Sequence, residues 1–240
     1  GTMGVRVIIM PPMPFLAPVG EVLKNAELGA QDVFYEEEGA YTGEVSPAEL
    51  RSLGVKYVLV GHSERRYPPA GGGETDEVVN KKVLAALKEG LKVILCVGER
   101  ERKLKVESCK LKVEKAFVKR QLEEALRGAD NLQLTTDNFI VAYEPMWAIS
   151  GRSHGVSDSP EDAGEMIAYI KEVLAELQGD PSTRSARSGH KEPLVLYGGS
   201  VNAVDAEGFL ERKEIDGVLV GSASLKPDEF RKIVEVARNF

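Results

Sequence analysis

A single carboxylate, Glu144, stands at the end of a short apolar run and is followed at once by Pro145. Residues 139–142 are apolar or small, so we predict that they form a buried strand with Glu144 at its mouth. Burial disfavours the charged form of a carboxylic acid, and this suits a general base that works near neutral pH. Pro145 biases the residue before it away from helix, so the chain turns sharply after the acid. A buried strand that ends in a solvated, idle glutamate is the alternative that this segment leaves open.

His62 directly follows the apolar residues 58–61, and the next two residues, Ser63 and Glu64, predict the first turn of a helix. A helix N-terminus disfavours positive charge, so it keeps an imidazole neutral and able to donate a hydrogen bond to a carbonyl oxygen. A structural histidine in a loop is the competing interpretation.

Two glycine-serine turns, at residues 198–200 and 221–222, each follow an apolar segment and precede a helical one. Main-chain N–H groups at such turns form an anion site, and the Ser200 hydroxyl adds a donor. The two turns follow the last two predicted strands, where β/α barrels commonly hold phosphate. The alternative is two tight turns that need glycine for a positive φ.

Short strands alternate with helices along the chain, and the strands are apolar throughout. This pattern predicts the α/β class, with a parallel sheet covered by helices. Polar groups or glycine pairs follow several strand ends, which favours a barrel over a doubly wound sheet because all strand ends of a barrel face one mouth. We predict strands over residues 5–10, 28–33, 57–61, 92–97, 139–143, 194–197 and 217–220, and helices over residues 19–25, 76–89, 100–127, 160–177, 205–211 and 227–238, with another beginning after Ser46.

Composition narrows the functional classes. The net charge of −7 argues against nucleic-acid binding, and Cys96 and Cys109 lack metal-type spacing, so we expect no metal site. No apolar run approaches the roughly 20 residues that cross a bilayer, and no signal peptide is visible, so we expect a cytoplasmic protein without a membrane partner. No shift in composition marks a boundary, which predicts a single domain over residues 1–240, with residues 1–3 interpreted as a tag remnant.

Seven blocks of residues, in order along nearly the whole chain, resemble the triosephosphate isomerase family. The most specific are Gly-His-Ser-Glu-Arg-Arg at 61–66 and Ala-Tyr-Glu-Pro at 142–145. The full set covers residues 29–33, 39–47, 60–66, 96–99, 142–149, 197–201 and 216–225. The resemblance implies a (β/α)8 barrel that interconverts glyceraldehyde 3-phosphate and dihydroxyacetone phosphate, in glycolysis and gluconeogenesis, without a cofactor.

The resemblance also implies roles for individual residues. Glu144 would move a proton between adjacent carbons through an enediolate, and His62 would polarise the carbonyl. The loop at Thr42 resembles one that reaches a partner's active site in family dimers, which implies a homodimer or higher homo-oligomer. The substrate phosphate would be held by the N–H groups of Ser150, Ser200, Gly221 and Ser222, beneath a lid that includes Met146, Trp147, Ala148, Ile149 and Gly151.

The chain departs from the family pattern in three places. The family begins with a strand that bears an asparagine and a lysine, whereas this chain begins at what resembles the second strand. We therefore expect a barrel that lacks the first βα unit, in which Glu64, the third assigned catalytic residue, lacks its lysine partner. One lost electrostatic group of this kind costs about 10²- to 10³-fold in rate. The lid sequence at residues 150–154 differs from the family's Gly-Thr-Gly-Lys, and Ser222 replaces a usual glycine.

These departures keep other functions open. An inactive, incomplete barrel that binds phosphate or self-assembles as a structural protein is the main alternative. Another phosphate-binding barrel isomerase or an aldolase is a third. The aldolase is disfavoured because no lysine at a strand end is positioned for a Schiff base.

Overall fold

The computed structural model describes residues 4–101, 107–129, 134–149, 158–178 and 192–240. The chain forms two compact units, Gly1–Leu95 with Glu124–Ile140, and Cys96–Glu123 with Val141–Phe240.

Strands and helices alternate, which confirms the α/β class. The strands are β1 Ile8–Ile9, β2 Glu27–Ala30, β3 Tyr57–Val60, β4 Lys92–Val97, β5 Phe139–Tyr143 and β6 Leu194–Tyr197. The helices are α1 Leu16–Val22, α2 Pro47–Ser52, α3 Ser63–Arg66, α4 Asp76–Lys88, α5 Glu107–Ala125, α6 Pro160–Leu177, α7 Ala206–Leu210 and α8 Pro227–Ala237. Short 3-10 helices cover Met13–Phe15, Met146–Ala148 and Ser222–Leu225.

In the first unit, strands β1 to β4 pair in parallel and in chain order. Tyr57 at the start of β3 pairs with Gly29 of β2 on one side and with Lys92 of β4 on the other. All four residues of β3 are buried. A parallel strand covered by helices meets apolar surroundings on both faces, which explains why its sequence does not alternate.

Helix starts in this unit follow capping chemistry. Ser46 precedes α2 and accepts the N–H of Glu49, and the Glu49 carboxylate accepts the N–H of Ser46 at 2.7 Å. Pro47 takes the first helical position, as the sequence predicts. Thr75 caps α4 by accepting the N–H of Val78.

A buried ionic cluster lies beside α4. Lys82 is 2% exposed, and its Nζ atom lies 2.6 Å from Asp32 Oδ1 and 2.7 Å from Glu74 Oε1. Arg65 contacts the same two carboxylates, at 2.7 and 2.8 Å. Each carboxylate is therefore shared by two cations, which offsets part of the cost of burial. Burial still raises the pKa of the Asp32 carboxyl above its ordinary value, against the lowering effect of Lys82.

The second unit contains the end of β4, most of β5, and β6, in that order within the sheet. The N–H of Glu144 donates to the carbonyl of Val97 at 2.7 Å, and the N–H of Gly198 donates to the carbonyl of Tyr143 at 2.7 Å. Helix α6 covers this part with a buried apolar stripe that includes Met166, Ile170 and Val173.

Several sequence-predicted elements are wrong in extent. The strand predicted over residues 28–33 is Glu27–Ala30, and the helix predicted over residues 100–127 ends at Ala125, with residues 100–101 outside it. The strand predicted over residues 217–220 is a single bridge between Tyr197 and Val218. It has main-chain partners on one side only within the described residues, the N–H and C=O of Tyr197, so a continuous ladder does not form. The strand predicted over residues 5–10 shortens to β1, and the helix predicted over residues 19–25 begins earlier, at Leu16, after a 3-10 turn. None of the helices in the described ranges is long and apolar enough to span a membrane.

Candidate active site

Glu144 follows β5 directly and is buried, with 3% of its surface exposed. Its main chain is held by the end of β4, because the N–H groups of Glu144 and Met146 donate to the carbonyls of Val97 and Glu99 at 2.7 and 3.0 Å. The alternative of a solvated glutamate at the end of this strand is therefore wrong, because Glu144 is buried. Burial at a fixed position is what a proton-transfer base needs.

Two glycines make room for Glu144. A Cβ atom on Gly98 would lie 2.0 Å from the Glu144 carbonyl oxygen, and one on Gly198 would lie 2.9 Å from Glu144 Cγ. Gly198 and Gly199 of the predicted phosphate turns thus serve close packing, and neither they nor Gly221 have a positive φ. On Gly199, a Cβ atom would meet the Tyr197 hydroxyl. The positive-φ explanation for these turns is wrong.

A buried carboxylate, Glu99, organises the segment that follows Glu144. Glu99 Oε1 accepts the hydroxyl of Tyr143 at 3.0 Å and the indole N–H of Trp147 at 2.6 Å. Glu99 is 4% exposed, and its Oε2 atom has no hydrogen-bond partner within the part of the chain that is described. Burial, followed by the charge of Glu99, raises the pKa of the Tyr143 hydroxyl well above its ordinary value, so Tyr143 stays a neutral donor.

The predicted lid begins as a compact 3-10 helix, Met146–Ala148. Met146 and Ala148 are buried, whereas Trp147 and Ile149 are partly exposed. Two sequence-predicted residues of this region, Ser150 and Gly151, lie outside the described residues.

The N–H of Ser200, a predicted phosphate donor, donates to the carbonyl of Ala148 at 3.2 Å. One predicted phosphate ligand and one predicted lid residue are therefore in direct contact. To bind phosphate, the Ser200 N–H would have to break its hydrogen bond to the Ala148 carbonyl and donate to a phosphate oxygen instead.

Gly221 and Ser222 lie at the start of the 3-10 helix Ser222–Leu225, with Gly221 as the residue before it. Both are exposed, and a Cβ atom on Gly221 would meet nothing within 4 Å. The first N–H groups of a helix have no partner within that helix, so this end offers donors to an anion.

His62 lies between β3 and α3 in the first unit and caps that helix with its side chain. Its Nδ1 atom accepts the N–H of Glu64 at 3.3 Å. Because Nδ1 acts as an acceptor, a neutral ring carries its proton on Nε2, which leaves Nε2–H as a donor. The cap thus supports the neutral imidazole that the sequence predicts.

Arg66, which sequence reasoning missed as a functional group, fixes the turn before His62. It is 5% exposed, and its Nε atom donates to the carbonyl of Gly61 at 2.7 Å while Nη1 donates to Asp76 at 2.7 Å. Gly61 has a φ of +71°, and a Cβ atom there would lie 2.8 Å from Arg66. The signal available in the sequence was an arginine four residues after a strand-end histidine.

Glu64 and Thr42 also belong to the first unit. The Glu64 side chain is exposed and has no ion pair or hydrogen bond with any residue in the described ranges. Thr42 is exposed at the tip of a loop that is closed by the N–H of Phe34 on the carbonyl of Val45 at 2.8 Å. Inside the loop, the Phe34 ring packs against Tyr41 with a centroid distance of 4.7 Å.

The second unit thus contains Glu144, the described lid residues, Ser200, Gly221 and Ser222, and the first contains His62, Glu64 and Thr42. Glu99 and Gly98 were missed as site residues although they stand in a quoted sequence block. Within the residues described, no group of three or more His, Cys, Asp or Glu side chains could hold a metal ion.

Comparison with known proteins gives a consistent family. The family model described as triosephosphate isomerase matches residues 1–237. Curated relatives named triosephosphate isomerase include that of Carboxydothermus hydrogenoformans, 43% identical over 97% of this chain and 85% of its own length. The relative from Caldanaerobacter subterraneus subsp. tengcongensis is 44% identical over 95% of this chain and 85% of its own. That from Aquifex aeolicus is 40% identical over the same shares.

Proposed function

The chain belongs to the triosephosphate isomerase family and is an isomerase; we propose that it interconverts glyceraldehyde 3-phosphate and dihydroxyacetone phosphate by proton transfer through Glu144. The observation that carries the assignment is the setting of Glu144, a carboxylate 3% exposed whose main chain is bonded to the end of β4. The alternative of a non-catalytic phosphate-binding barrel is not favoured, because the relatives are named as the enzyme.

Glu144 takes a proton from one carbon of the bound triose and returns it to the neighbouring carbon. The intermediate is an enediolate, and the hydroxyl proton of the triose passes from one of its oxygens to the other, so that the hydroxyl and the carbonyl exchange places. Both oxygens need a hydrogen-bond donor during this transfer. His62 supplies Nε2–H to these oxygens, a role supported by the bond from the Glu64 N–H to Nδ1. A neutral imidazole is a weaker acid than imidazolium, so it stabilises the enediolate without surrendering a proton early.

The substrate phosphate binds to the main-chain N–H groups of Ser150, Ser200, Gly221 and Ser222. Support comes from the exposed start of the helix Ser222–Leu225 and from the polar turn at Ser200. Met146, Trp147, Ala148, Ile149 and Gly151 form the lid, and its first turn is tied to Glu99. The chemistry requires no redox cofactor, because proton transfer between adjacent carbons involves no net oxidation.

The fold that we propose is the family's (β/α)8 barrel, formed by residues 1–240 as one domain. Strands β4 and β5, which each run from one compact unit into the other, support one domain.

We further propose a cytoplasmic enzyme of glycolysis and gluconeogenesis that acts as a homodimer or higher homo-oligomer. The loop that presents Thr42 supports association, because it is ordered by its own aromatic packing while Thr42 itself is exposed. Sedimentation of the wild type and of Thr42→Glu would show whether this loop carries the interface.

The function itself is tested by a coupled isomerase assay on the purified chain. Glu144→Gln keeps the shape of the side chain but cannot accept a proton, so kcat should fall about 10²- to 10⁴-fold. The control is Glu207→Gln, an exposed glutamate of α7, which should keep full activity. Equal turnover in the wild type and Glu144→Gln would refute the proposed function.

A further inference from the structure

One polar side chain interrupts the buried face of α5. Val118, Leu122 and Ala125 are fully buried on this face, and Gln121 lies among them with 1% of its surface exposed. A buried amide needs hydrogen-bond partners, so its presence in an apolar stripe requires an explanation. The explanation is in the turn that follows β4.

The Oε1 atom of Gln121 accepts the N–H of Gly98 at 2.8 Å. Since an N–H group can only donate, this bond also fixes which end of the amide faces Gly98. The peptide unit that carries this N–H has the carbonyl of Val97 at its other end. That carbonyl accepts the N–H of Glu144 at 2.7 Å.

Gln121 and Glu144 are therefore connected through one planar peptide group. A peptide plane is rigid, so a rotation that releases its N–H also turns its carbonyl away. Hydrogen bonds in such a chain polarise and strengthen one another, above all where water is excluded. Gly98 adds a steric restraint. The Glu144 carbonyl oxygen packs so closely against the Gly98 Cα atom that a side chain on Gly98 would have no space for its Cβ atom.

We propose that Gln121 is a positioning residue for the general base, acting through the peptide between Val97 and Gly98. The inference rests on the proposed role of Glu144 in proton transfer. Gln121 does not touch the substrate; it holds the peptide that sets the depth and direction from which the Glu144 side chain extends. Without the amide oxygen, the Gly98 N–H would be buried and unsatisfied, and the peptide would tilt to find another acceptor.

Gln121→Met tests the proposal, because methionine fills a similar volume but its thioether sulfur is only a weak hydrogen-bond acceptor for the Gly98 N–H. A displacement of about 1 Å at a catalytic group costs on the order of 10²-fold, so we expect kcat to fall about 10- to 100-fold. KM should stay within about twofold, because Gln121 makes no contact with the substrate and its replacement leaves the groups that bind the substrate unchanged. Gln121→Glu retains an acceptor oxygen and should recover most of kcat.

Asn80→Leu is the matched control. Asn80 is a partly buried amide that also bonds to main chain, but as the donor and in the other compact unit. Its Nδ2 atom donates to the carbonyls of Ala125, the last residue of α5, and of Arg127, at 2.9 Å each. Its loss should lower Tm and leave kcat and KM unchanged. A kcat in Gln121→Met equal to that of Asn80→Leu would overturn the proposal.

Amide hydrogen exchange gives a readout that does not depend on activity. In the wild type, the Gly98 and Glu144 amides should be protected together, and in Gln121→Met both should exchange faster while the Tyr143 amide does not. A Gly98 amide that exchanges freely in the wild type would overturn the proposal even if the variant fails to fold. A wild type without isomerase turnover would remove the proposed function, whereas the exchange data would still decide whether Gln121 holds Glu144.

Discussion

The indole N–H of Trp147 donates to Glu99 Oε1 at 2.6 Å. This bond joins the second residue of the lid to a buried carboxylate two residues beyond the end of β4. A hydrogen bond to a charged acceptor is stronger than a neutral one. The first turn after Glu144 is therefore anchored by its side chain as well as by its main chain.

Trp147 is the only tryptophan in the sequence, so its fluorescence reports on this anchor alone. The next residue, Ala148, accepts the N–H of Ser200 at 3.2 Å. Inorganic phosphate bound at Ser200 should take that donor and change the Trp147 emission. Titration with phosphate, against sodium chloride at equal ionic strength, measures the change. Competitive inhibition by phosphate without any change in emission would contradict the exchange at Ser200.

Gly198→Ala should displace the base. The added Cβ atom would lie 2.9 Å from Glu144 Cγ, so the glutamate side chain must shift. We expect kcat to fall about 10- to 100-fold with the fold retained. The control is Gly208→Ala in α7, where the Cβ atom has only an ordinary contact, 3.4 Å to Pro160, and where alanine favours helix. Steady-state kinetics and circular dichroism of both variants check the prediction.

Lys82→Met should destabilise the chain strongly. Lys82 lies between Asp32 and Glu74, whose side chains are 15% and 10% exposed. Removal of one partner from a buried ionic cluster leaves uncompensated charge and costs about 3–5 kcal/mol. Lys88→Met, on the same helix but in an exposed pair with Glu37, should leave stability unchanged. Urea unfolding of the two variants side by side makes the comparison; equal midpoints would show that the cluster does not stabilise the fold.

Stability should fall steeply at alkaline pH, and Tyr143 should account for part of the loss. Burial, and then the charge of Glu99, raise the pKa of its hydroxyl well above the ordinary value of about 10. Above about pH 10 the unfolded chain releases this proton while the native chain keeps it. The native state then binds more protons, so unfolding free energy declines as pH rises, by up to about 1.4 kcal/mol per pH unit for one such group.

Urea unfolding at pH 9 and pH 11 tests this sign. Tyr143→Phe should show a shallower loss of stability than the wild type across this interval. Tyr41→Phe, at a tyrosine that is 44% exposed, serves as the control and should keep the wild-type slope. Identical slopes in all three proteins would contradict the assignment.

Sequence reasoning located the elements around Glu144 well, because the signals there are local. The bounds of β4, β5, β6 and α6 are confirmed as predicted. Each is a run of apolar residues or a helix with clear ends, such as Ser159 before Pro160. The bounds of the outer strands were harder to predict. Within the described residues, β1 and residues 217–220 have fewer strand neighbours. The length of a strand depends on its pairing with other strands, which the local sequence does not show.

The supporting groups of the site could not be predicted in the same way. Gln121 and Glu99 look like ordinary members of a charged helix and a loop until their burial is known. Their partners lie 23 and 44 residues away along the chain, from Gln121 to Gly98 and from Tyr143 to Glu99. Contacts over such sequence separations depend on tertiary packing. Residue type and spacing therefore identify Glu144 as the candidate base but do not identify the residues that hold it in position.

The paired carbonyls of Val97 and Glu99, which accept the N–H groups of Glu144 and Met146, determine where motion at the base can occur. With hydrogen bonds on both sides of Pro145, the main chain at Glu144 has little torsional freedom. Any swing of the carboxylate between the two substrate carbons must then come from rotation about the side-chain bonds. The length of the side chain, rather than the flexibility of the strand, limits how far the proton can be carried.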